Sequence, residues 1–202
     1  MILRHSPTSP YTRKVMVLLH ETGLMDQVEI SSIDGWQEPD DLIAQNPLSM
    51  VPTLILDDGT ALFDSPVICE YLDTRHNRSP LLPRESGEDR WTALRRQAQA
   101  DGILDCAVLV FMETVKRPED LRWEWWAELK RKAIRRAVDA FEAECHEFDD
   151  RPDLGLISVA CSLSYLDLRG AVGEWRDDHP KLAAWHDTFA ARASMMNTAP
   201  PT

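Results

Sequence analysis

The chain has 202 residues, of which 44% are hydrophobic and 28% charged. That is enough material for one good core or two small ones, close to the averages of soluble globular proteins, and it excludes a largely disordered chain. The net charge is −12, and residues 1–80 hold 5 Lys/Arg against 12 Asp/Glu, so neither a nucleic-acid binder nor an anionic-membrane binder with a basic face is expected.

The first residues, MILRHSPTSPY, have no apolar core before a small-residue cleavage site, so no signal peptide is expected and the predicted location is cytoplasmic. No apolar run is long enough to cross a bilayer. Cys69, Cys106, Cys145 and Cys161 are scattered without a C-x-x-C spacing, which argues against a zinc site and a dithiol redox centre. Buried, reduced thiols on helices fit that pattern.

In chain order, MILRH predicts a short strand. Pro10 to Thr22 predicts a helix stopped by Gly23, VEISSI a second strand, and Pro39 to Gln45 a short helix. The strand TLIL, an Asp58-Gly59 turn and the strand TALF form a hairpin, and a helix begins at Ser65-Pro66. A parallel pair followed by a hairpin predicts a small mixed sheet with helices on its faces, the thioredoxin-like arrangement. Pro, Gly, Ser and charge in RHNRSPLLPRESGED break the periodicity and predict a linker. Four helical patterns follow, Trp91 to Val115, Trp123 to Phe148, Ser158 to Val172 and Pro180 to Ala193, with apolar residues three and four apart. The expected division is an α/β thioredoxin-like domain at 1–76, a linker at 77–88 and an all-α domain at 89–202.

Ser9-Pro10 and Ser65-Pro66 each suit a helix start, because serine can satisfy an orphaned N–H and proline lacks the one that would be orphaned. Two helix N-termini then lie beside one small sheet, where an anion can bind. A pair of ordinary caps fits the same residues. Val51-Pro52 precedes a strand directly; a cis proline there would turn the chain sharply and leave the Val51 backbone to pair with an extended peptide. In RWEWWAELKRK, Trp123 and Trp126 lie three apart and are expected to pack a helix start. No histidine shows a metal-ligand spacing, and no metal is assigned.

The combination of SPTSPYTRKV, NPLSMVPTL, DSPVICEYLD, SPLLP, SYLDLR and HPKLAAWHDTFAARAS resembles the glutathione S-transferase family over nearly the whole chain, and more narrowly a bacterial transferase-like group with serine or cysteine at the catalytic turn. The resemblance implies glutathione as co-substrate, bound between a thioredoxin-like and an all-α domain. It places Ser9 where omega-class enzymes and glutaredoxins carry cysteine. A thiol near pKa 8.5 is only about 3% ionised at pH 7, and lowering it by roughly 1.5 units makes it nearly half thiolate; a hydroxyl and a helix N-terminus together could supply that shift. The resemblance also implies that Val51 and Pro52 hold the cysteinyl backbone, that Asp64 and Ser65 hold the γ-glutamyl end, and that Met50 stands where many members carry a cation for the glycine carboxylate.

Family members usually dimerise, so a homodimer is expected. In the first long helix Leu94, Ala98, Asp101, Asp105, Val108 and Met112 share one stripe. By resemblance Asp101 reaches the glutathione amine of the neighbouring subunit; a wet cleft without a ligand role fits equally. The family's Ser/Thr-x-x-Asp capping box is read as Ser158 to Cys161, without the aspartate. The expected function is transfer of glutathione to a small hydrophobic electrophile, with no nucleic-acid or membrane partner. The alternative is a non-catalytic glutathione-binding or protein-interaction module. A glutathione-dependent reductase is disfavoured because position 9 is not cysteine.

Overall fold

In the computed structural model, which describes residues 1–201, β1 (Ile2–His5) runs parallel to β2 (Glu29–Ser32) on one side and antiparallel to β3 (Thr53–Ile55) on the other; β4 (Ala61–Leu62) closes the hairpin. The sheet order is β2-β1-β3-β4, the expected mixed sheet. Successive β1 side chains point to opposite faces. Leu3 is fully buried on one face, while Arg4 on the other donates to Gln45, Ser31 and Asp41.

Three α-helices of this unit lie between residues 1 and 86. The first, α1 (Pro10–Thr22), has the expected bounds, because Ser9 caps one end and Gly23, at φ 75°, closes the other in the left-handed region that favours glycine. The others are α2 (Asp40–Gln45) and α3 (Ser65–Asp73), and α1 and α3 pack against each other. Val15, Leu18, Leu19, Leu54, Ile68 and Leu72 are fully buried, each contributing roughly 1.5–3 kcal/mol relative to exposure.

Two segments differ from the sequence division. Residues 77–86 group with the first unit, Met1–Ser86, instead of forming a loose linker. Asp73 holds them: its fully buried carboxylate accepts the N–H groups of Leu81 (2.8 Å) and Leu82 (3.1 Å), sits 3.0 Å from His76 Nε2, and lies 3.7 Å from the Arg84 guanidinium. The chain from Ala193 onward also groups with this unit and not with the preceding helices. There α9 (Ala193–Met196) packs on α1, Arg13 donates to the Met195 carbonyl (3.1 Å), and Ser194 donates to Glu21 (2.5 Å).

The second unit, Gly87–Arg192, is helical. It comprises α4 (Glu88–Phe111), continued by a π-helical turn at Met112–Lys116, then α5 (Glu124–Glu144), α6 (Leu154–Arg169), the short α7 (Trp175–Asp178) and α8 (Pro180–Ala190). Twelve of the sixteen α6 residues are buried, so it reads as a central helix, apolar nearly all round. The stripe from Leu94 to Met112 is not buried at any of its six positions within this unit; Ala93, Ala100, Ile103, Leu104 and Ala107 face its core instead. The tryptophans do gather at a helix start, Trp123 stacking on Trp125 (5.1 Å) and Trp126 (6.3 Å), yet Trp123 and Trp125 remain exposed.

The capping assignment at Ser158 is corrected. Helix α6 begins four residues earlier, because the Asp153 carboxylate accepts the Leu156 N–H at 2.7 Å and starts the helix there. Burial pushes the Asp153 carboxyl upward, against the cap bond that lowers it. Ser158 lies inside the helix and donates to the Leu154 carbonyl (2.7 Å).

Two expectations follow for the second unit. A Cβ on Gly155 would lie 2.7 Å from the Ala93 carbonyl oxygen and 3.0 Å from its Cα, backbone atoms that cannot swing away. Gly155→Ala should therefore lower stability by about 1–3 kcal/mol, outweighing the gain of up to ~1 kcal/mol from helix propensity, as a urea midpoint will show. His179 places Nδ1 2.6 Å from the Trp175 carbonyl and Nε2 2.8 Å from Asp139, so both nitrogens need a proton and the ring is charged. Burial opposes that charge, but Asp139 and the carbonyl outweigh it and raise the pKa above its ordinary 6.5. This contribution to stability is complete below the unfolded value and is lost as pH rises through the folded one; urea midpoints measured from acid to alkaline pH should fall across that window, and His179→Gln should flatten the fall.

Candidate functional site

Strand register brings the chemistry-bearing loops to one end of the sheet. His5, the last residue of β1, leads into the turn containing Ser9. Thr53 pairs with Arg4, so Pro52 and Val51 emerge beside that turn. Leu62 pairs with Leu54, so β4 delivers Asp64 and Ser65 to the same end. Ser9, Met50, Val51, Pro52, Asp64 and Ser65 thus converge within the first unit.

Ser9 is half-buried, with extended backbone at φ −79° and ψ 119°. Its Oγ accepts the Thr12 N–H at 3.3 Å, and its own N–H donates to the Ser6 carbonyl (3.0 Å). Because the cap bond uses a lone pair, the hydroxyl proton stays available to a second acceptor. Capping and donation are therefore compatible. The neighbouring His5 was not singled out from the sequence: its Nδ1 is shielded from solvent without a hydrogen-bond partner, and burial lowers its pKa, keeping the ring neutral.

The Val51–Pro52 peptide is cis, as expected. Among the described residues, neither the N–H nor the C=O of Val51 has a hydrogen-bond partner in the chain. What holds this loop is Asn46, a residue sequence reasoning missed although it opens the quoted stretch NPLSMVPTL. It is 1% exposed. Its Nδ2 donates to the Met50 carbonyl (3.1 Å) and to Thr53 Oγ1 (3.0 Å), and its Oδ1 accepts the Leu48 N–H (3.0 Å). Thr53 Oγ1 in turn donates to the Met50 carbonyl (2.8 Å). Such a role for a short polar side chain, bonding to partners 2, 4 and 7 residues along the same loop, has no periodicity to betray it. Met50 itself is 63% exposed.

At the start of α3 the structure refines the assignment. Asp64 is the N-cap by backbone geometry and Ser65 the first helical residue, so Ser65 does not cap the helix. The Asp64 side chain makes no cap hydrogen bond and is exposed, whereas Ser65 is 1% exposed. The free N–H groups of this turn and of the α1 start give the site two ends of partial positive charge.

Profiles for the glutathione S-transferase N-terminal and C-terminal domains match residues 8–75 and 124–188. The uncharacterized GST-like protein YibF of Escherichia coli K12 is 33% identical over 100% of this chain and 99% of its own length. The chain belongs to the glutathione S-transferase superfamily. A glutathione transferase family member from Pseudomonas fluorescens Pf-5, solved with bound glutathione, is 47% identical, with a TM-score of 0.95 over 100% of this chain and 99% of that one. A second structure from the same organism, with bound S-(propanoic acid)-glutathione, is 46% identical over the full length of both chains, with a TM-score of 0.91. A stringent starvation protein A homolog from Coxiella burnetii is 41% identical over 83 residues, 41% of this chain and 38% of its own.

Within this transferase fold the second unit offers two further groups of interest. Asp101 lies half-buried on α4. Ser164 Oγ sits 2.9 Å from His186 Nε2, a pairing that invites comparison with a nucleophile and its base. The other face of the ring excludes that role. His186 Nδ1 lies 2.8 Å from the Arg176 guanidinium, which can only donate, so Nδ1 is the acceptor and Nε2 carries the proton. Burial, then the Arg176 charge, brings the His186 pKa to about 4, and a ring that donates to Ser164 cannot take its proton. None of the four cysteines forms a disulfide; Cys69, Cys145 and Cys161 are buried as expected, whereas Cys106 is only half-buried, and burial raises the Cys106 and Cys145 thiols, opposite to what a redox nucleophile needs. Among the described residues no group of three His, Cys, Asp or Glu could hold a metal, and no helix is long and apolar enough to cross a membrane.

Asn46 supplies the test of this geometry. Asn46→Ala should cost about 1–3 kcal/mol, the range for leaving buried partners unsatisfied, and Asn46→Asp should also disrupt the loop because a carboxylate cannot donate to the Met50 carbonyl. In both variants glutathione titrated calorimetrically at a temperature where the fold persists should bind more weakly than to the parent protein.

Proposed function

We propose that this protein transfers glutathione to a small electrophile, with Ser9 stabilising the thiolate. The observation that carries the reading is the Ser9 hydroxyl at the start of α1: its oxygen is occupied by the Thr12 N–H while its proton is left to donate. A thiolate placed there meets one hydroxyl and the positive end of a thirteen-residue helix. The unpaired Val51 backbone offers a short β-type pairing to the cysteinyl residue, with Pro52 setting its direction, while Asp64 and Ser65 serve the γ-glutamyl amine and carboxylate. Because the relative from P. fluorescens binds S-(propanoic acid)-glutathione, thioethers of short carboxylic acids are the first products to test. The proposal carries with it a cytoplasmic homodimer, in which Asp101 approaches the neighbouring glutathione.

A non-catalytic glutathione-binding or protein-interaction module is the second reading; the exposed Met50, where a cation for the glycine carboxylate is expected, favours its protein-interaction form because it weakens the hold on glutathione. Calorimetric titration followed by turnover of a chloronitrobenzene-type electrophile separates the two. Binding without turnover leaves the glutathione-binding module; absence of both leaves only the protein-interaction module.

Ser9→Ala should lower transfer about ten- to a hundred-fold, the equivalent of one charge-assisted hydrogen bond of roughly 1.5–3 kcal/mol, with little change in glutathione affinity. Loss of the cap adds about 1 kcal/mol of destabilisation, so rates are compared well below the melting range. Ser9→Cys should lower transfer and introduce reduction of glutathione mixed disulfides, because a cysteine at a helix N-terminus becomes a low-pKa nucleophile. Unchanged transfer in Ser9→Ala would reduce Ser9 to a cap.

A further inference from the structure

The exits of β1, β2 and β4 and the entry of β3 share one end of the sheet, and strand pairing fixes their order across it. His5 lies opposite Ser32 and accepts the Ile33 N–H (2.8 Å), so the turn after β2 opens beside the Ser9 turn. Asp34 folds that turn. Its carboxylate accepts from the Trp36 N–H (3.1 Å) and from Gln37 Nε2 (3.0 Å). Trp36 is left 69% exposed, and Leu48 and Met50, in the loop before β3, are exposed as well. Glu38 and Asp40 follow, both exposed and neither with a cationic partner among the described residues.

A tripeptide with its γ-glutamyl end at Asp64 and Ser65 and its cysteinyl residue on Val51 runs across the sheet end from β4 toward β2. Its glycine end therefore arrives between Met50 and the β2 turn. Within Met1–Ser86 the cations are engaged or elsewhere: Arg4 is held by Asp41, Gln45 and Ser31, Arg13 donates to the Met195 carbonyl, and Lys14 is fully buried. Arg78 donates to the Glu21 carbonyl, while Arg75 and Arg84 follow α3 at its far end. His5 is kept neutral by burial. A free glycine carboxylate thus finds no counter-charge in this unit and faces three like charges, Asp34, Glu38 and Asp40. An ammonium in its place is attracted by the same three and can lie on the Trp36 ring. From this arrangement we infer that the thiol this site accepts best is a glutathione amide, its glycine carboxylate condensed with a di- or polyamine, whose terminal ammonium is received by Trp36, Asp34, Glu38 and Asp40. The inference rests on the glutathione site proposed above and names its substrate more closely. It also accounts for Met50: no cation is needed where no carboxylate arrives.

The test is calorimetric titration of the full chain, at low salt, with glutathione, with its neutral glycine amide, and with the amide formed from ethylenediamine, which carries one ammonium. The cationic amide should bind about ten-fold more tightly than glutathione, with the neutral amide between them, and the gap should shrink in about 0.5 M salt as exposed charges are screened. Met50→Lys, a change at an exposed side chain, should raise glutathione affinity about ten-fold and weaken the cationic amide. Glu38→Gln combined with Asp40→Asn should weaken the cationic amide alone. Equal binding of all three thiols, or glutathione bound best, would overturn the inference and leave glutathione transfer standing. An unchanged order of affinities in Met50→Lys would overturn it too. Binding of none of the three would remove the glutathione site itself, and this inference with it.

Discussion

Antiparallel pairing of β3 with β1 is the constraint on which the candidate site depends. Three residues of β3 make that pairing, from Ile2 opposite Ile55 to Arg4 opposite Thr53. Because side chains alternate strictly, a slip of one residue would turn Leu54 out of the core and carry Val51 away from the Ser9 turn. So short a strand cannot fix its register by ladder hydrogen bonds alone. Leu54, fully buried, anchors its middle, and the Asn46 and Thr53 hydrogen bonds to the Met50 carbonyl hold its entry.

The two halves of the molecule solve the problem of buried polarity differently. In the first unit, fully buried Asp73 gathers backbone N–H groups from a segment that has no regular structure of its own. In the second, buried charge is shared between side chains on different helices: Arg96 of α4 lies 2.6 Å from Glu144 at the end of α5 and covers the Phe148 ring at 4.7 Å. Removing one partner of such a pair costs more than the pair contributes, because the remaining charge is stranded.

Much of the fold was legible because it is encoded locally. Ser9, Pro10 and Gly23 bound α1 on their own chemistry, and the Asp58-Gly59 turn marks the hairpin. Local cues failed where two residues competed for one role. Asp153 and Ser158 both suit a cap, and only packing against α4, with Gly155 close against Ala93, decides for the earlier one. At the start of α3, Ser65 looked like the cap because proline follows it, yet the backbone enters the helix one residue sooner. Of the candidate site, the turn and loop residues were visible as motifs. Asn46 and His5 were not: the Asn46 bonds join loop residues at no repeating spacing, and the shielding of His5 Nδ1 exists only in the folded chain.

The return of the chain end to the first unit has a consequence for synthesis. Ser194 and Met195 pack beside Glu21 and Arg13, more than 170 positions earlier in the chain. A ribosome releases the amino-terminal end first and the carboxyl-terminal end last. The sheet and its three helices therefore wait, with one flank of α1 uncovered, while the entire helical unit is translated, and the first part of this protein to emerge is among the last to be completed.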